Sequence, residues 1–128
     1  MDRTFLPCAE CRCFAARREA RRITHAYDGA LRPSGLRATQ FTMLTVLILA
    51  GPMTVGRLAE KLAADRTTLT RNLKPLEKRG LVRTESAGDR RVRLVSISAA
   101  GLRAAKAALP LWRRAQAAEV ELKSNDKE

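Results

Sequence analysis

Apolar residues recur with helical period over most of this chain and with period two in one stretch near its C-terminal third. Between Cys11 and Leu31, the residues Ala16, Ala20, Ile23, Tyr27 and Ala30 are spaced 4, 3, 4 and 3 apart, which draws one narrow seam along a helix. Arg17, Arg18, Arg21 and Arg22 fall largely off that seam. Arg32-Pro33-Ser34-Gly35 ends the helix, because Pro disfavours helical geometry in the residue before it and Gly punctuates the loop. Thr39 is placed to cap the next helix, Gln40 to about Ala50. Its run from Phe41 to Leu49 is apolar almost all round and reads as the buried spine of the fold. Residues 1–10 show no period and read as an unsettled arm.

After Gly51-Pro52, Thr54 caps a short helix from Val55 to Leu62, in which Val55, Leu58, Ala59 and Leu62 share a face. Ala63-Ala64-Asp65 makes a tight turn, and Asp65 caps a helix from Arg66 to about Arg79 that Gly80 ends. Leu69, Leu73 and Leu76 face inward, whereas Thr67, Thr70, Arg71 and Lys74 stand opposite. Two short helices joined by a tight turn, the second with a polar and basic outer face, make a helix-turn-helix. Pro75 removes a hydrogen bond to the Arg71 carbonyl and is expected to bend the second helix. The segments 81–85 and 91–97 alternate with period two around 86–90 and predict an antiparallel hairpin with a basic tip. Ser98 then caps an Ala-rich final helix to about Leu122, expected to break or bend at Pro110, with residues 124–128 fraying.

Charge sharpens this picture. The chain has 128 residues, 25 Lys and Arg against 13 Asp and Glu, and a net charge of +12. Between Arg66 and Arg93 stand nine basic side chains and three acids, so half the net charge lies in under a quarter of the chain. Such a balance calls for a polyanionic partner; nucleic acid is the commonest, and a ribosome or an anionic membrane surface fits the same charge. The low aromatic content, 4%, argues against single-stranded nucleic acid as the partner. The run from Met43 to Ala50 is too short to span a bilayer. The first residues lack the apolar core of a secretory signal, so a cytoplasmic protein without membrane association is expected.

On Gly35-Leu36-x3-Gln40-Phe41, Leu58-Ala59-x2-Leu62, the run Asp65 to Leu73, Leu76 to Arg83, Asp89-Arg90-Arg91 and Val95-Ser96-Ile97-Ser98, the chain resembles the MarR family of winged helix-turn-helix transcriptional regulators. The resemblance covers nearly the whole chain. It implies a mainly α fold with a small β-hairpin wing, dimerising through N- and C-terminal helices (1–34 and 98–122) around a DNA-binding lobe (35–97) in a single domain of residues 1–128. A homodimer on a pseudo-palindromic operator is expected, most simply as a repressor, with no enzymatic activity. Thr67, Thr68, Thr70, Arg71 and Lys74 are assigned to the major groove, Arg66 to a phosphate, and Arg90 and Arg91 to a flanking minor groove. The resemblance implies that Asp89 pairs with Arg91 and shapes the wing.

Cys8-x2-Cys11-x-Cys13 is the unusual feature. Zinc, an iron–sulfur cluster, redox chemistry and inert thiols all remain open for it. A metal site wants four ligands, and His25, the single histidine, lies about 18 Å beyond Cys13 along an unbroken helix. The stretch from Cys13 to Tyr27 is similar to the start of the organic-hydroperoxide regulators of the same family. That similarity places a reactive cysteine at Cys13 and a supporting tyrosine at Tyr27, while a second tyrosine of that pattern falls on Arg17. Cys8 or Cys11 is then the resolving thiol. Many members of the family bind a small aromatic anion instead, and Arg21, His25 and Tyr27 are the candidate pocket residues. The rival reading is a thiol-based redox or metal-handling protein with only non-specific affinity for nucleic acid. It is disfavoured by the absence of a Ser/His/Asp or Cys/His arrangement.

Overall fold

The computed structural model describes residues 2–126, with the backbone alone for Ala87, Asp89, Arg90 and Arg91. A 3-10 helix, Arg3–Glu10, precedes α1 (Arg12–Leu31), and a 3-10 turn, Arg32–Ser34, leads to α2 (Ala38–Ala50). Then come β1 (Met53–Thr54), α3 (Val55–Lys61), α4 (Arg66–Lys78), β2 (Val82–Ala87), β3 (Asp89–Ile97) and α5 (Ala99–Asn125). The three strands form one antiparallel sheet in the order β1-β3-β2. None of the described helices is long and apolar enough to cross a membrane.

The helix-turn-helix and the wing follow the sequence pattern, and the differences have local causes. Residues 3–10, expected as an unsettled arm, are helical because Asp2 accepts a hydrogen bond from the Thr4 amide and Pro7 fixes its own φ. Thr39 does not cap α2. The helix starts at Ala38, whose amide donates to Asp28 Oδ1 at 2.7 Å, while Gln40 Oε1 accepts from the Arg37 amide at 2.9 Å. The α2 spine is buried through Phe41, Met43, Leu44 and Leu47, but its last turn is open, with Leu49 86% exposed. The hairpin is tighter than expected: Gly88, at φ 82°, alone separates β2 from β3, beside a bulge at Ser86/Ala87.

Both internal prolines sit on outer faces of helices that run on through them, so neither α4 nor α5 breaks. The carbonyls of Arg71 and Lys106 lose an amide partner there, on exposed residues where water can replace it. α5 remains helical to Asn125.

The core gathers Leu31, Leu44, Leu58, Leu69, Leu76 and Val95, each at most 1% exposed, from α1, α2, α3, α4 and the sheet. Burying each such side chain stabilises the fold by about 1.5–3 kcal/mol. Phe41 and Trp112 meet at 6.3 Å between ring centres and join α2 to α5. α1 and α5 run alongside each other, tied by Arg22, which bridges Glu19 and Glu119 at 2.8 Å each, and by Tyr27, whose hydroxyl donates to Gln116 Oε1. Of the α1 seam, Ile23, Tyr27 and Ala30 are half-buried, whereas Ala16 and Ala20 are exposed in the single chain.

Candidate nucleic-acid interface

α4 is held rigidly at both ends. At its start Asp65 accepts from the Thr68 amide at 2.7 Å and from the Thr68 hydroxyl at 3.1 Å. These two bonds, the backbone one first, hold the Asp65 carboxyl below its ordinary 3.8, with the Arg71 charge adding to them. At its end the Gly80 amide bonds Glu77 and the Leu81 amide bonds Leu76, with Gly80 at φ 71°. That is a complete Schellman closure, and glycine adopts it without strain.

At about 100° per residue, Thr67, Arg71, Lys74 and Lys78 lie within about 40° of one line, with Leu69, Leu73 and Leu76 on the far side. The structure agrees: the three leucines are at most 2% exposed, and all four polar residues are exposed. A polar and basic rail about 16 Å long therefore stands on a buried apolar base. Lys78 is not among the residues singled out from the sequence, although its spacing of four from Lys74 puts it on the rail.

The other assigned residues divide. Thr68 spends its hydroxyl on the Asp65 cap. Thr70 flanks the rail and, with Arg66, lines a cleft of about 510 Å³ between α4, the start of α3 and the sheet. Arg66 leans over Gly56, where an added Cβ would stand 2.6 Å from its Nη2. Arg93 Nη2 donates to Thr84 Oγ1 across the wing. Asp89, Arg90 and Arg91 begin β3 next to the Gly88 turn, so the backbone carries them at the wing tip; their side chains lie outside the described part of the structure.

Cys8, Cys11 and Cys13 are all exposed and free, at the junction of the 3-10 helix and α1. Cys11 is the N-cap of α1, its Sγ accepting from the Phe14 amide at 3.4 Å. Among the described residues no three His, Cys, Asp or Glu side chains come together as a metal-binding set.

The three pocket candidates are not brought together. His25 lines an open cleft at the α1–α2 turn, Tyr27 turns to Gln116 on α5, and Arg21 is exposed on α1. Burial, then the Glu119 carboxylate, pushes the pKa of the Tyr27 hydroxyl above its usual value. A separate cleft of about 320 Å³ lies between α1, α2 and α4, bounded by Thr24, Thr42, Met43, Leu69 and Asn72.

A family model described as "MarR family" matches residues 34–92. The uncharacterized HTH-type transcriptional regulator YwoH of Bacillus subtilis (strain 168) is 34% identical over 79 residues, which are 62% of this chain and 58% of YwoH. The crystal structure of the M. tuberculosis transcriptional regulator MosR in complex with DNA superposes with a TM-score of 0.81 at 45% identity, covering 88% of this chain and 82% of that one. The fold also matches an E. coli MarR mutant complexed with operator DNA, at a TM-score of 0.70 and 23% identity over 85% of this chain and 76% of that one. The matched lobe, the order of its elements and the identity shared with MosR over most of both chains agree, and the chain belongs to the MarR family.

Proposed function

We propose that two copies of this chain bind a pseudo-palindromic operator in double-stranded DNA as a repressor, and that oxidation at Cys13 releases them. The rail of Thr67, Arg71 and Lys74 on α4 carries the DNA reading. An α-helix fits the B-DNA major groove, where hydroxyls and guanidinium groups reach base edges and phosphates. That MosR crystallised with DNA, at 45% identity to this chain, supports the same partner here. Phe5 and Phe14 near the start and Val120 near the end are more than half exposed in the single chain, which supports pairing of two copies through their terminal elements. Two recognition helices then read half-sites about 34–36 Å apart.

The test is a titration at two salt concentrations of a duplex enriched by the protein from a random pool, against a scrambled duplex. A sequence-specific regulator prefers the enriched duplex by at least about a thousandfold, with steep salt dependence for both. Equal affinity for the two duplexes overturns the reading.

In the release step, a hydroperoxide oxidises the Cys13 thiol to sulfenic acid and leaves as the alcohol. Cys8 or Cys11 then condenses with the sulfenic acid, forming a disulfide and expelling water. The exposure of all three thiols supports this reading. Peroxide is expected to release wild-type protein from the enriched duplex, and Cys13→Ser to stay bound, in the same titration. Wild-type binding unchanged by peroxide overturns the redox half and leaves the cleft between α1, α2 and α4 as the place for a small-molecule signal.

A further inference from the structure

We infer that the DNA-binding surface continues past the winged helix onto the α1–α2 turn, where Arg32 and Arg37 hold backbone phosphates flanking the major-groove contacts. This rests on the DNA reading proposed above and assigns a second contact region to it. The rail on α4 does not stop at Lys74. Lys78 extends it to the last residue of the helix, and Arg79 follows at the C-cap. There Arg79 Nη1 donates to the Gly35 carbonyl at 3.0 Å, which fixes the turn between α1 and α2 against the end of the rail. Gly35 has φ 76°, a left-handed conformation that glycine adopts without strain and that presents its carbonyl to Arg79.

Arg32 and Arg37 are exposed and line an open cleft of about 420 Å³ with His25, Asp28, Gly35 and Leu36. Among the described residues neither makes an ion pair, and the acid in this cleft, Asp28, spends Oδ1 on the Ala38 amide at 2.7 Å. Arg32 and Arg37 thus share the cleft with a single carboxylate, and Arg79 adds a third positive charge at the Gly35 turn. That is unfavourable for the free protein and is offset when a polyanion lies across it. The Arg79–Gly35 bond sets the turn that carries both arginines beside the C-terminal end of α4, outside the helix that enters the groove, so they are assigned phosphates rather than base edges. They therefore set position and affinity and carry no sequence information.

The test uses the full chain, the enriched duplex and the scrambled duplex, and compares wild type with Arg32→Ala/Arg37→Ala and Arg32→Lys/Arg37→Lys. In the Ala variant, affinity is expected to fall by about tenfold or more for both duplexes, with their ratio preserved. The slope of log K against log salt is expected to become shallower by about 0.9 for each phosphate no longer neutralised. The Lys variant keeps the charge and is expected to keep the slope. Arg32→Gln/Arg37→Gln replaces the Ala variant if thermal melting shows that one to be unfolded. An unchanged slope with unchanged affinities overturns the inference, and so does a loss confined to the enriched duplex, which would mean sequence reading. If wild type itself fails to prefer the enriched duplex, the functional reading has failed. If wild type discriminates and only the variant slope stays put, this second contact region alone is wrong.

Discussion

Arg71→Ala is expected to lower affinity for the enriched duplex by at least about thirtyfold, because a groove-facing arginine contributes about 1–3 kcal/mol per contact and a dimer loses two of them. Arg71 lies mid-rail, exposed, with Leu69 and Leu73 buried beneath. Its removal therefore strips charge and donors from the groove face without touching the core. Arginine and alanine are both good helix formers, so the thermal midpoint is expected to stay within error of wild type. Gel-shift or anisotropy titrations, with melting as the folding control, check this. Wild-type affinity in the variant removes α4 from the reading surface.

Gly101→Ala is expected to be the most destabilising of the small substitutions, although alanine is about 1 kcal/mol better than glycine in a helix interior. Gly101 sits in the first turn of α5 and is fully packed: a Cβ there would lie 2.1 Å from the Leu81 carbonyl oxygen and 2.7 Å from Ile97 Cγ1. A backbone oxygen cannot swing aside. The start of α5 must then lift off the base of the wing, and with it the Ser98 hydroxyl that donates to the Gly80 carbonyl and accepts from the Gly101 amide. Overpacking of this kind costs about 1–3 kcal/mol, sometimes more, out of a total stability of about 5–15 kcal/mol. Urea or thermal denaturation reads it directly, and a midpoint at or above wild type contradicts the packing argument.

Gly101 also shows where sequence reading stops. A glycine inside an alanine-rich helix looks like a mild weakness, and only the approach of a distant carbonyl reveals why nothing larger fits. The helix-turn-helix was legible because its determinants are local: a leucine period, Asp65 in front, and Gly80 behind. Neither proline interrupts its helix, since a missing amide counts heavily in a buried helix and little where the orphaned carbonyl meets solvent. β1 is two residues long and shows no alternation at all. Its existence depends on Met53 pairing with Val95 and Thr54 with Leu94, about forty residues away. The rail itself was readable up to Lys74. The role of Arg79 was not, because its partner is the Gly35 carbonyl of a turn that sequence spacing cannot bring near.

That short strand has a consequence for how a signal must act. By pairing with β3 it stitches the segment leading into α3 to the hairpin that follows α4, so both ends of the helix pair are tied to one sheet. On the redox reading proposed above, a change at the far end of α1 is therefore expected to shift each head as a block, so that grip on both half-sites is lost together.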